Sequence, residues 1–342
     1  MKKAKKILVT LLCLGMAISL AACGTNSSSK GTGKSSKKIV IAEPVHSIGY
    51  LPLYLAIQKG YFKDNGLDVE VMTATGGGHV TSVVSGDAWG NIGGPESNAM
   101  GNSGSSDPIK SVVNVVNRAN VYLMGATSLN LQPTDDPEKL KSYLKGKTIA
   151  AGRYGGSLNA LTRWLLMDIG LDPNKDVKLE EPADPAAVVS LVKSGKADIA
   201  NGAEPQIKNG LDSGAWNEPF YKFTDLGDYA YSVLSVKEST IKKSPETVQA
   251  FVDAIVKALK VVNDDHDIAM EVLQKEFSTT DKASLQAALD RAYEDKLWSK
   301  DGSISKESVA KPLDVVKKTG IYKKGYSYDD LVDMQFVNKT NK

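Results

Sequence analysis

Residues 39–42 form a short apolar run, and residues 51–58 carry apolar positions at helical spacing until Gly60 ends them. Residues 68–72 then alternate, with Val69 and Val71 on one face, which predicts a half-buried strand. A glycine run, Gly76-Gly77-Gly78-His79, precedes an apolar helix over 80–84, closed by Ser85-Gly86-Asp87-Ala88, and Ile92-Gly93-Gly94 leads on. The order is then repeated. A strand over 147–151, a helix over 157–168, Gly170-Leu171-Asp172, a strand over 177–179 and a helix over 186–192 lead to Ser194-Gly195-Lys196-Ala197-Asp198 and a strand from Ile199. Gly66-Leu67-Asp68 thus has a counterpart 104 residues on, and Ser85-Gly86 one 109 residues on. An unequal offset this long excludes a solenoid and suits two lobes of one plan. Alternating strands and helices predict α/β lobes, each a mostly parallel sheet flanked by helices. Beyond Tyr231 the period becomes helical over 245–262, 265–276, 282–296, 306–318 and 329–337.

The chain begins differently. Lys2, Lys3, Lys5 and Lys6 precede an apolar run over 7–20, too short for an ordinary spanning helix of about 20 residues. It ends Leu20-Ala21-Ala22-Cys23-Gly24, which resembles a bacterial lipoprotein processing site. Residues 1–22 are therefore expected to be a signal peptide, and Cys23 a lipidated first residue anchoring the protein to the outer face of the cytoplasmic membrane. Residues 24–38 hold no apolar side chain and are expected to be a flexible tether. Cys13 would leave with the signal peptide, so the body can carry no disulfide framework. Eight lysines fall within residues 1–38; removing them from the overall net charge of +2 leaves −6 for residues 39–342. That balance gives no footprint for nucleic acid.

The runs Gly49-Tyr50-Leu51-Pro52-Leu53-Tyr54-Leu55-Ala56, Lys59-Gly60-Tyr61-Phe62-Lys63 and Gly66-Leu67-Asp68-Val69 carry a resemblance. With Gly76–Gly78 and Ser85–Ala88, they resemble the opening of periplasmic binding proteins for nitrate, sulfonates, taurine and thiamine-pyrimidine precursors, the NMT1/THI5-like family. The resemblance implies a two-lobed, venus-flytrap protein of type II. Residues 39–124 plus 229–342 would build lobe 1 with the C-terminal helices, and 125–228 lobe 2. Crossings are expected near 123–127 and 227–232. It also implies a monomer that hands a small solute to the permease subunits of an ABC importer.

Ligands of open α/β lobes sit beyond the carboxyl ends of strands, so four sets of segments are candidates. In the loop over 43–50, His46, Ser47 and Tyr50 could touch a ligand; alternatively Tyr50 packs the lobe and His46 is solvated. At 75–79, Gly77, Gly78 and His79 could admit an anion or polar headgroup to backbone N–H groups, or form a simple tight turn. At 152–159, Arg153 could grip a carboxylate or sulfonate, with Tyr154, Gly156, Ser157 (a cap for the helix) and Asn159 beside it; Arg153 could equally point away. After the two later strands stand Glu96, Asn98 and Glu204, whose acids would bind an amine or ring donor, or form bridges and caps. Tyr229 and Tyr231, with Trp89 and Trp216, could stack on a ring, although Trp89 is better read as lobe packing.

Catalysis would need a base, nucleophile or metal set. His46, His79 and His266 are the only histidines, and neither a metalloprotease helix nor a serine-hydrolase elbow occurs. A metal held by His46, His79 and Glu96 is conceivable but poorly supported. Solute capture without cofactor or metal is the expected function, against a scaffold or adhesion lipoprotein, or a pyrimidine-synthesising enzyme of related fold.

Overall fold

Two five-stranded sheets organise residues 36–342, the part of the chain that the computed structural model describes. The signal peptide, Cys23 and nearly all of the expected tether lie outside the described residues. In chain order, β1 (Lys37–Glu43), α1 (Leu51–Gln58), α2 (Tyr61–Asp64), β2 (Leu67–Thr73), α3 (Gly78–Ser85), β3 (Gly90–Gly93), α4 (Pro95–Gly101) and β4 (Ile109–Val116) come first. The second lobe holds β5 (Tyr122–Gly125), α5 (Pro137–Leu144), β6 (Thr148–Ala150), α6 (Ser157–Asp168) and β7 (Lys178–Glu180). It continues with α7 (Ala187–Lys193), β8 (Ile199–Gly202), α8 (Gln206–Asp212) and β9 (Tyr221–Lys222). The chain returns through β10 (Ser232–Lys237) and ends in α9 (Glu238–Lys243), α10 (Pro245–Asp264), α11 (His266–Glu276), α12 (Lys282–Glu294), α13 (Lys306–Lys318), α14 (Tyr328–Leu331) and α15 (Gln335–Thr340).

The sheet orders are β2-β1-β3-β10-β4 and β7-β6-β8-β5-β9. Each has one reversed strand: β10 is antiparallel to β3 and β4, and β5 to β8 and β9. Both reversed strands enter directly from the opposite lobe, so the duplicated plan extends to the way the lobes are joined. Gly66 and Gly170, the matched glycines, both adopt φ 76, a left-handed conformation that an L side chain resists.

Apolar burial follows the predicted periods. Ile39 and Ile41 of β1 and Leu51, Leu53 and Leu55 of α1 pack with Phe251, Val252 and Ile255 of α10 in the first core. Ile149, Leu161, Leu165 and Phe220 centre the second.

Four expected boundaries move. β1 begins at Lys37, with Lys37 Nζ donating to Thr247 Oγ1 (3.1 Å) and Lys38 paired to Glu70, so the tether ends before them. Leu123 lies in β5 of the second sheet, so the first crossing falls at residues 117–121 rather than 123–127. Val315 and Val316 of α13 enter the second core, so the C-terminal tail serves both lobes. The helix expected over 329–337 is two short helices, because Val332 between them bridges Ser111 of β4.

Candidate functional site: the cleft between the lobes

The carboxyl ends of the parallel strands point into a cleft of about 1090 Å³, part of it open to solvent. Six loops reach it, three from each sheet. After β1 come Pro44, Val45, Ser47 and Tyr50; after β2, Gly76, Gly77 and His79; after β3, Gly94 and Ser97. The second sheet supplies Arg153, Gly156 and Ser157 after β6, Pro182, Ala183 and Pro185 after β7, and Gly202, Ala203 and Gln206 around the end of β8. Val116, Asn120, Tyr231 and Ser232 close the floor from the two crossings. By strand position the Arg153 loop matches residues 43–50, although its glycines resemble those at 76–78.

Charge in this lining is sparse. Arg153 is half-buried, and its Nη1 donates only to the Tyr154 carbonyl (3.0 Å); it enters no ion pair among the described residues. Burial holds its guanidinium below the usual range. His79 is 4% exposed, and burial, helped by the Arg153 charge, lowers its pKa to about 4. The imidazole is therefore neutral at pH 7, with Nδ1 buried and without a partner. Arg153 is the one full charge among the lining side chains.

The helix ends differ in what they offer. Gly77, at φ 93, caps α3, and a Cβ there would stand 3.9 Å from Arg153 Nη2. The N–H groups of Gly78 and His79 donate back to the Thr75 and Ala74 carbonyls (2.9 Å each), so this glycine turn largely satisfies itself. At α6 the cap is Gly156, not Ser157, and no side chain accepts from the first turn. The N–H groups of Ser157, Leu158 and Asn159 find no acceptor among the described residues. The second site, beside Arg153, is thus the one that welcomes an anion.

Ser47, Tyr50, Gly77, His79, Arg153, Gly156, Ser157 and Tyr231 all stand in the cleft lining. The other candidates stand outside it. His46 turns to Glu43 (Nδ1–Oε1 3.0 Å), lies 3.5 Å from Glu276 and stacks between Tyr54 and Phe277. The Glu43 hydrogen bond raises its pKa. Gly78 faces Ala74. Asn98 is buried within lobe 1, donating to Ser235 and accepting from Asn91. Tyr154 is 52% exposed and lies over the Arg163 guanidinium. Asn159 is buried, donating to the Gly152 carbonyl and to Glu181. Tyr229 joins the second core.

The acids behave as structural groups. Glu204 accepts from Arg291 of α12 (3.2 Å), while burial keeps its pKa raised. Glu96 lies behind Gly94 and accepts a hydrogen bond from Ser157 Oγ of the opposite lobe. Trp216 is buried under α8, donating to the Ile207 carbonyl, and Trp89 packs on Phe251. Sequence reasoning missed Asn120 and the Pro182–Pro185 wall. The latter had a signal, since residues 181–186 follow a predicted strand and precede a predicted helix. Among the described residues no three His, Cys, Asp or Glu side chains are grouped to hold a metal, and no helix is long and apolar enough to cross a membrane.

Residues 45–275 match the NMT1-like family. A Bacillus subtilis (strain 168) protein provisionally named binding protein YtlA is 28% identical over 305 residues, covering 88% of this chain and 89% of that one. Among solved structures, the periplasmic nitrate-binding protein NrtA of Synechocystis PCC 6803 superposes with a TM-score of 0.73 at 15% identity, covering 89% of this chain and 88% of that one. The alkanesulfonate-binding protein SsuA of Xanthomonas axonopodis pv. citri, bound to MOPS, gives 0.69 at 15% identity, over 88% and 99%. These two likenesses establish the type II periplasmic-binding-protein fold expected from the sequence.

Proposed function

Because the chain belongs to the NMT1-like family, we propose that it is the extracytoplasmic solute-binding component of an ABC importer, taking a small organic solute with one negative charge. The observation that carries the charge is Arg153, unpaired among the described residues beside the open amino end of α6, in a cleft whose histidine is neutral. An anion placed there gains charge-assisted hydrogen bonds from the guanidinium and from backbone N–H groups that closure would otherwise leave dry. The body of the solute would lie against Pro44, Val45, Leu158, Pro182, Pro185 and Val188. Few polar groups in a mainly apolar pocket is the usual composition of a site for an organic molecule. Tyr50 and Ser232, both lining the floor, add hydroxyl partners.

In this reading the two crossings are hinges, lobe closure traps the solute, and the closed face is read by permease subunits. Lipid at Cys23 would hold the protein at the membrane, with no cofactor and no catalytic step. Mass spectrometry of solute released from purified protein tests the reading, together with thermal shifts against sulfonates, carboxylates, nitrate and pyrimidines. A saturable rise in melting temperature with an organic monoanion supports capture. Stabilisation only by cations, or by nothing in the panel, contradicts it.

A further inference from the structure

We propose that Glu96 is a positioning residue that couples closing of the two lobes to uptake of one proton, its neutral carboxyl seating Ser157 of the opposite lobe. The contact spans the cleft: Glu96 lies in the first turn of α4 in lobe 1, and Ser157 opens α6 in lobe 2. Glu96 is 3% exposed. Its Oε1 accepts from Ser157 Oγ, while Oε2 is buried without a partner.

The groups around it offer no counter-charge. Tyr50, Tyr229 and Tyr231 face it from the opening loop and the second crossing, and burial raises all three phenols, which stay neutral. From α3 the nearest titratable group is His79, also neutral. On α13, Lys311 Nζ donates to the Leu226 carbonyl (2.9 Å) and lies 3.8 Å from Glu307. On α14, Asp329 and Asp330 are exposed. Arg153 makes no ion pair with Glu96 among the described residues. The amino end of α4 favours a carboxylate, but by about 1 kcal/mol or less. Burying an unpaired carboxylate costs several, so closure favours the acid form: burial raises its pKa against the opposing hydrogen bonds from Ser157 and from its own backbone N–H.

The direction of the coupling follows. With the lobes apart and Glu96 wetted, its carboxyl ionises with an ordinary pKa; between closed lobes it holds its proton higher. Closing therefore binds a proton and is favoured at low pH. Between the ordinary open-state value and the raised closed-state value, the closed-to-open ratio falls by up to about tenfold per pH unit, and above the closed-state value it levels off. This rests on the two-lobe reading only for the closing motion and on no particular solute.

Small-angle scattering of the full chain, without added solute, tests it across a pH series that starts near the ordinary carboxyl value and rises through neutral. The wild type should expand as pH rises, Glu96→Gln should keep the compact radius throughout, and Ser157→Ala should be expanded even at low pH. An infrared band from a protonated carboxyl, present in the wild type and missing in Glu96→Gln, should accompany the compact state. A wild-type radius independent of pH, a Glu96→Gln variant that expands as the wild type does, or a Ser157→Ala variant as compact as the wild type would overturn the proposal. Thermal shifts by anionic solutes would survive that failure, so it is separable from failure of the capture reading.

Discussion

Arg153 and His79 set the electrostatics of the cleft together. The guanidinium adds to burial in keeping the imidazole neutral, and the neutral imidazole leaves the guanidinium as the local charge. His79 has a folded-state pKa of about 4, below the ordinary 6.5, so the unfolded chain takes up its proton first as pH falls. Its contribution to stability is full above about pH 6.5 and is lost towards pH 4, by up to about 3 kcal/mol. Urea midpoints of the wild type should fall over that range more steeply than those of His79→Gln; parallel curves would contradict the buried neutral histidine. The residue scale also explains why candidate roles were only partly legible. A glycine-rich loop with an arginine after a strand signals a ligand-facing segment by itself. The aim of Glu96 and Glu204 depends on Ser157 and Arg291, which are distant in sequence and come near only in the folded chain.

Elements with sharp punctuation were legible to the residue. The helices over 51–58, 157–168 and 306–318 stand as the periodicity gives them, because Gly60, Gly170 and Gly320 stop or follow them in left-handed geometry. The first crossing was not legible. β4 and β5 are both buried apolar runs separated by Asn117-Arg118-Ala119-Asn120-Val121, so nothing in the pattern says which sheet Tyr122 joins. Two predictions belong to elements. Gly210 in α8 lies against Trp216, where a Cβ would meet Cε2 at 1.8 Å, so Gly210→Ala should cost about 3 kcal/mol by overpacking. Chemical denaturation measures it, and a neutral effect would contradict the packing. Arg291→Ala in α12 strips Glu204 and Glu218 of their shared partner. The pair is only partly exposed, so a loss of about 2 kcal/mol is expected, between surface and fully buried ion pairs. The loss should shrink when Glu204→Gln accompanies it; undiminished additivity would show that the bridge does not act as a pair.

At the scale of the whole molecule, one plan is used twice and the chain passes between its copies. The reversed strands β5 and β10 each follow a crossing, so relative motion of the lobes need not break either sheet. Six loops from two sheets then converge on a cleft with one unpaired cation among its lining side chains. In the proposed function this cation selects the solute. Calorimetric titration with one ring scaffold bearing in turn a sulfonate, a carboxylate, a neutral amide or an ammonium group tests it most directly. Saturable binding of the anions is expected, with little or none of the amide and ammonium and a loss of about tenfold to a hundredfold in anion affinity in Arg153→Gln. Equal or tighter binding of the neutral or cationic member, or an Arg153→Gln variant that keeps its anion affinity, would contradict it.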